Sequence, residues 1–454
     1  MSAAIGVPLL EAIYCLGCTR WAYKRCIYIG ADDSSSWTAA EAHELEPIPR
    51  VCQLVLAVYE RDLQHPKWAP PGGYKISLEN VVKKTSDLER IVPPYLIYVD
   101  HEHRDIVLTI RGLNLRREND YLVLWDNKLG RQEFLDGYVH HGLLRAAVWL
   151  LYQEKETLRN CITKHPTYTL TFGGHSLGSG VAALMAVLAI QFPFLLADIP
   201  RKQIRCYAIA PARCMSLNLA VKYADVINSI ILQDDFLPRT ATPLEDIFKS
   251  MFCLPCLLGY RCLKDTCISE EKLLHDPRRL YAPGRMYHIV ERKFCSCWKH
   301  PPVVKSGIPV EGRFEHIVLS CNAISDHSIL AIMEESEKAL QMLRDKDTET
   351  NTPPIQKMTR QQTRAKEQDQ EHKAALRRAA TLEVPSAGYE SADETQANGN
   401  GDCGVCPDDE AAGEVCPQPE APCEAGQLKL KIEWDELLDK LFRKDDAGKF
   451  VWNK

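Results

Sequence analysis

Gly174, His175, Ser176, Leu177 and Gly178 follow one another in the chain, and glycines two residues either side of a serine give the spacing that a serine nucleophile needs. Residues 168–172 before them are rich in β-branched and aromatic types, and residues 181–190 after them are small and apolar. The serine is therefore expected between a strand and a helix. The turn there is so tight that side chains at 174 and 178 would strike the neighbouring strand and helix. Gly174, His175 and Gly178 form this elbow around Ser176. The bend lifts the Ser176 hydroxyl above the sheet edge. It also turns the Leu177 N–H and the helix N-terminus toward the place where an oxyanion develops on an attacked carbonyl. The competing reading is a glycine-rich strand–helix turn whose serine is incidental.

A hydroxyl of high pKa needs a base, and the base needs an orienting acid. On open α/β sheets with this elbow the chain order is serine, acid, histidine. Downstream of Ser176, the apolar run at 229–232 leads into Gln233, Asp234 and Asp235. That places two acids at the carboxyl edge of a strand, where the sites of such sheets lie. Asp235 is the favoured acid and Asp234 its neighbouring rival. Either one is also readable as a loop cap or as a salt-bridge partner of Arg239. For the base, His327 sits late in the chain, in a polar loop that opens a helix. His316 and His288 fall inside strand patterns and are read as structural.

These residues need a frame, and the frame is legible as strands alternating with helices. Strands are expected at 95–99, 105–110, 168–172, 204–209, 226–232, 287–290 and 316–319. Helices are expected near 51–63 and at 138–162, 181–190 and 326–343. That alternation predicts a mostly parallel sheet with helices on both faces, and with the elbow it predicts the α/β-hydrolase fold. The expected organisation is an N-terminal region over 1–94, a catalytic domain over 95–344, a disordered polar linker over 345–427 and an amphipathic helix over 428–454. Bulky apolar residues are scarce in the linker. In the last segment Trp434, Leu437, Leu438, Leu441 and Phe442 share a helical face.

Of the 454 residues, 45% are hydrophobic, enough to build a full core, and the net charge of -6 gives no reason to expect nucleic acid as a partner. No basic signal segment opens the sequence, and the apolar run at 180–197 is broken by Gln191 and Pro193. The expected location is therefore cytoplasmic, with peripheral membrane contact. The 18 cysteines then read as thiols rather than a disulfide framework.

The motifs together resemble those of the class 3 lipases, the family of fungal triacylglycerol lipases and of diacylglycerol lipases. The likeness covers about residues 95–343. It rests on 170–180 around the serine, on Asp235-Phe236-Leu237-Pro238-Arg239 and on Asp326-His327-Ser328. It also rests on 107–112 followed by Asp120, and on 138–144 with its His140-His141-Gly142. The resemblance implies a Ser176–His327–Asp235 triad, with the Leu113 and Leu177 N–H groups as the oxyanion hole. The substrate it implies is a lipid ester, a mono- or diacylglycerol before a phospholipid, and the chemistry needs no metal or other cofactor. Residues 14–16 and 68–74 resemble the N-terminal region of plant lipases described as calmodulin-binding and heat-shock-related, which implies calmodulin as a partner. One departure stands out. Where the family has Arg-Gly-Thr or Arg-Gly-Ser, this chain has Arg111-Gly112-Leu113, so a hydroxyl donor to the oxyanion is missing. That departure motivates a rival reading, a non-catalytic lipase-like module that binds calmodulin or membrane.

Residues 248–263 are apolar and hold Cys253, Cys256 and Cys262, with Cys267, Cys295 and Cys297 beyond them. They are a candidate lid or membrane-dipping loop. These cysteines, and Cys15, Cys18 and Cys26 beside basic residues, are candidate palmitoylation sites. Plain core and a structural zinc site are the alternatives. Residues 10–29 and 434–444 are candidate calmodulin helices, although the second is acidic and also readable as a docked helix. Arg377-Arg378-Ala379-Ala380-Thr381 has the form of a kinase site.

Overall fold

Runs of β-branched and aromatic residues make the strands that hold the site, and the computed structural model places nine of them in one sheet. It describes residues 30–70, 72–85, 93–112, 132–239, 279–291, 300–310, 314, 320, 322–349, 354–382, 424–444 and 450–452. The strands of this sheet are β1 (Thr38–Ala39), β2 (Val81–Lys84), β3 (Tyr95–Asp100), β4 (Asp105–Ile110), β7 (Thr169–His175), β8 (Ile204–Ile209), β9 (Ile227–Leu232), β10 (Arg285–Val290) and β11 (Val303–Gly307). A small separate hairpin pairs β5 (Gln132–Phe134) with β6 (Gly137–Val139). The order across the sheet is β1-β11-β10-β9-β8-β7-β4-β3-β2.

The five central strands β4, β7, β8, β9 and β10 run parallel, and the two at each flank are antiparallel. β3 and β4 form the expected hairpin, with Tyr95 opposite Ile110 and Asp100 opposite Asp105. Every residue of both strands is buried, as strands covered on both faces must be. With helices on both faces this is the α/β-hydrolase arrangement. The expected strand at 316–319 lies outside the described residues.

One face is covered by α1 (Pro47–Tyr59) and α5 (Ile329–Glu349), whose Val51, Val55, Ile332, Met333 and Leu340 pack with Leu96, Val107, Ile209, Ile230 and Ile289 of the strands. α1 starts with Pro at its first turn and buries Ile48, Val51, Cys52, Leu54, Val55 and Val58. Arg50 ties its beginning to the sheet through Asp100 at 2.9 Å and Asp105 at 2.6 Å. Its far end, Tyr59, reaches the carboxyl ends of the parallel strands. α2 (His141–Lys164) and α3 (Leu177–Gln191) pack on each other, and α3 lies against β7 and β8. The short α4 (Leu217–Lys222) leads into β9. Among the described residues, no helix is long and apolar enough to cross a membrane.

Two expectations about organisation change. The chain forms two compact units, Met1–Val384 and Pro385–Lys454. Residues 30–85, read from the sequence as part of an extension, supply β1 and β2 to the sheet of the first unit and α1 to one of its faces. Within the stretch expected to be a disordered linker, residues 345–349 finish α5, and α6 (Pro354–Thr381) follows. α6 docks through polar and small residues, so a count of bulky apolar side chains overlooks it. Arg364 donates to Thr38 Oγ1 at 3.0 Å, Glu371 pairs with Arg285 at 2.6 Å, and Ala375 and Ala379 are buried. Residues 350–353 and 383–423 of the expected linker lie outside the described residues, and 424–427 begin the helix that follows. In the second unit, α7 (Glu424–Leu441) buries Trp434, Leu438 and Leu441, and Phe442 opens the hairpin β12 (Phe442–Lys444) with β13 (Phe450–Trp452).

Candidate active site

Ser176 follows β7 and precedes α3, and its backbone has φ 55 and ψ -123, a region that few residues other than glycine occupy. Its N–H donates to the Ile209 carbonyl at 3.0 Å, so the end of β8 holds the bend in place. A Cβ on Gly174 would run into the Gly178 carbonyl, and one on Gly178 would run into the carbonyls of Arg111 and Ile110. The two glycines are what allow strand, helix and the end of β4 to come this close. Ser179, three residues on, accepts the Ala212 N–H at 3.0 Å and donates to the Ser176 carbonyl. Leu177 is the first residue of α3, where backbone N–H groups have no intrahelical acceptor.

His327 approaches from a loop of turns before α5. The His327 Nε2 lies 2.9 Å from Ser176 Oγ, and Nδ1 lies 2.9 Å from Asp235 Oδ1. The Asp235 carboxylate is fully buried and the His327 side chain is 17% exposed, so the acid is shielded while the base stays reachable. Asp235 Oδ1 also accepts the Leu237 N–H at 3.1 Å. The His327 ring packs near those of Phe236 and His175, with centroids 4.9 and 5.0 Å away. With Asp235 ionised, Nδ1 donates to it, and the lone pair on Nε2 faces the serine hydroxyl. That is the polarity a general base requires.

Asp234, the neighbouring acid, has a different task. Its N–H donates to Asp326 Oδ2 at 2.9 Å and its Oδ1 accepts the Gly30 N–H at 3.2 Å. The two loops are therefore laced together twice, by Asp235 to His327 and by Asp234 to Asp326. Arg239 pairs with Asp33, and it also donates to the Gln233 carbonyl. His288 is buried in β10, with Nε2 donating to the Gln233 carbonyl at 3.0 Å and Nδ1 accepting from Ser34 at 2.7 Å. Burial and the nearby Arg239 charge push it down to about 3, which keeps it neutral. It supports the acid loop from behind. His140 caps α2 by accepting the Leu143 N–H at 3.3 Å, and burial pushes it down to about 3 as well.

Leu113, the other expected oxyanion donor, lies outside the described residues, as do Asp120, His316, the insertion at 248–263 and all nine candidate palmitoylation cysteines. Gly112 is described and lies against the elbow. Asp33, Ser34 and Tyr59 are the site residues that the sequence does not single out. Each acts across a long stretch of chain, and none sits in a motif.

Two family models match the sequence. One, described as Lipase (class 3), covers residues 107–245, and one described as Lipase 3 N-terminal region covers 9–76. Mouse (Mus musculus) diacylglycerol lipase-beta is 30% identical over 166 residues, which are 34% of this chain and 23% of that protein. Human (Homo sapiens) diacylglycerol lipase-alpha is 23% identical over 300 residues, which are 55% of this chain and 27% of that protein. The chain thus spans about a quarter of the length of these curated relatives. Among solved structures, the Rhizomucor miehei triacylglyceride lipase aligns at 17% identity and a TM-score of 0.40, over 60% of this chain and 87% of that one. Lipase II from Rhizopus niveus aligns at 14% identity and a TM-score of 0.44, over 64% of this chain and 94% of that one. The two family models, which take in both the N-terminal region and the strand–elbow–acid segment, support the class 3 lipase family for residues 9–76 and 107–245 of this chain.

Proposed function

We propose that the protein is a serine ester hydrolase that cleaves acylglycerols at a lipid surface. The observation that carries this reading is the line Ser176–His327–Asp235, with both links at 2.9 Å. The diacylglycerol lipases among its relatives support the acylglycerol substrate.

In this reading Ser176 Oγ attacks the ester carbonyl while its proton passes to His327 Nε2. Asp235 holds the ring in place and stabilises the imidazolium that forms. The carbonyl oxygen gains charge beside the Leu177 N–H at the start of α3, with the Leu113 N–H as the second donor. His327 then returns the proton to the departing alcohol, and an acyl ester remains on Ser176. A water molecule gives its proton to the same nitrogen and attacks that ester, releasing the fatty acid and restoring the serine. Peripheral membrane contact through 248–263 and calmodulin binding through 10–29 belong to the same proposal.

The test is fatty-acid release from emulsified mono-, di- and triacylglycerol by the full chain and by Ser176→Ala. Release by the wild type alone supports the proposal. Equal release by both, or turnover of amides or thioesters without lipid esters, contradicts it. A folded wild type that releases nothing and takes no phosphonate favours the non-catalytic module that Leu113 motivates.

A further inference from the structure

His175 stands between Gly174 and the nucleophile, and both of its ring nitrogens are engaged. Its Nδ1 lies 2.8 Å from the Tyr59 hydroxyl, and its Nε2 lies 2.8 Å from the carbonyl oxygen of His327. The Tyr59 hydroxyl lies 2.8 Å from the Gly112 backbone nitrogen. The two ends of this line fix its polarity. A backbone N–H only donates and a carbonyl only accepts. His175 therefore carries a proton on Nε2 and donates it to the His327 carbonyl. In a neutral ring Nδ1 is then a lone pair, so the Tyr59 hydroxyl accepts from Gly112 and donates to His175. Burial first, and the neighbouring His327 ring second, push the His175 imidazole down to about 3, so the neutral ring that this polarity needs is the stable one.

We propose that Tyr59 and His175 are positioning residues that set the spacing of the oxyanion turn, the nucleophile and the base through one directed line of hydrogen bonds from Gly112 to the His327 backbone. This rests on the reading of Ser176 and His327 as nucleophile and base. The line joins parts of the site that are far apart in sequence. Gly112 lies two residues past the end of β4 and precedes the expected oxyanion donor. His175 is bonded directly to Ser176 along the chain. The His327 carbonyl belongs to the residue whose ring takes the serine's proton. A ring with both nitrogens engaged does not turn without breaking one bond, so the nucleophile's backbone and the base's backbone move as a pair. Packing at Gly112 adds to the constraint, because a Cβ there would come within 2.9 Å of the His175 carbonyl, Ser176 Cβ and the Tyr59 hydroxyl. Tyr59 is the last residue of α1 and falls within the 9–76 match, so the N-terminal region contributes directly to the reacting geometry.

The test uses the full chain and three variants, Tyr59→Phe, His175→Gln and His175→Leu. Nitrogen-15 NMR of the imidazoles reads the His175 tautomer. Inactivation by an alkyl fluorophosphonate reads the rate constant and the binding constant separately. The expected results are an Nε2–H tautomer for His175 from pH 8 to pH 5, and a loss of about tenfold in the inactivation rate constant of Tyr59→Phe with its binding constant unchanged. His175→Gln keeps a donor toward the His327 carbonyl and retains more activity than His175→Leu, which falls by about a hundredfold. An Nδ1–H tautomer, or Tyr59→Phe reacting at the wild-type rate, overturns the proposal. Wild type that does not react at all defeats the reading of Ser176 instead, and the tautomer measurement then still decides whether the line exists.

Discussion

Asp33 and Arg239 form an ion pair in which the side chains are 4% and 0% exposed, and this pair anchors the loop that carries the proposed acid. Arg239 also donates to the Gln233 carbonyl, so the loop from 233 to 239 closes around its own guanidinium. Asp33 accepts the Phe314 N–H at 3.3 Å with its other oxygen. Asp33→Asn removes one partner of a buried ion pair, which costs about 3–5 kcal/mol in comparable cases. Urea denaturation is expected to show a loss of that size, accompanied by slower phosphonate labelling as Asp235 loosens. The double variant Asp33→Asn with Arg239→Met is expected to recover part of the stability, because no isolated charge stays buried. A single variant as stable as the wild type would show that the pair does not hold the loop.

The elbow makes a steric prediction. A methyl group on Gly178 meets the Arg111 and Ile110 carbonyls, and neither is the movable end of a side chain. Gly178→Ala is expected to lose about 1–3 kcal/mol of stability from overpacking and to abolish phosphonate labelling. A Gly178→Ala variant that labels at the wild-type rate would mean that the strand and helix do not approach this closely.

Ser179 gives a subtler variant. Its hydroxyl accepts the Ala212 N–H and donates to the Ser176 carbonyl, so Ser179→Ala strands a buried N–H. The expected cost is about 1–3 kcal/mol, read as a lower denaturation midpoint at an unchanged slope.

Three buried histidines set a pH dependence. His140, His175 and His288 are each pushed from 6.5 to about 3, by burial first in every case. The unfolded chain then binds protons that the folded one refuses. The sign follows: these groups contribute nothing to a pH dependence above about 6.5, and stability falls as pH drops from there toward about 3. Thermal unfolding at pH 5 is expected to show an uptake approaching three protons from these residues. An unfolding temperature that does not change between pH 7 and pH 5 contradicts their burial as neutral rings.

Some of this architecture is legible in the sequence, and the part that is not has a physical cause. The elbow is legible because a local steric demand writes its glycines at 174 and 178. β3 and β4 are legible because burial on both faces leaves 95–100 and 105–110 mostly apolar. Asp235 and His327 are reachable because their order along the chain and their place at strand ends restrict the choice. Asp234 and Asp235 look alike in sequence, and only the folded chain gives one to His327 and the other to the Gly30 and Asp326 contacts. Tyr59 and Asp33 carry no local signal, since their partners lie 116 and 206 residues away. α6 was obscured for a different reason: Arg364, Glu371, Ala375 and Ala379 dock it by charge and small size, which resembles the composition of a chain that does not fold.

The central claim is that Ser176 is a nucleophile driven by His327. Mass mapping of the full chain after reaction with an alkyl fluorophosphonate tests it most directly. A single adduct is expected, on the peptide that contains Ser176, formed at least about a thousandfold more slowly in His327→Ala. An adduct on a different serine, or a His327→Ala variant labelled at the wild-type rate, contradicts it.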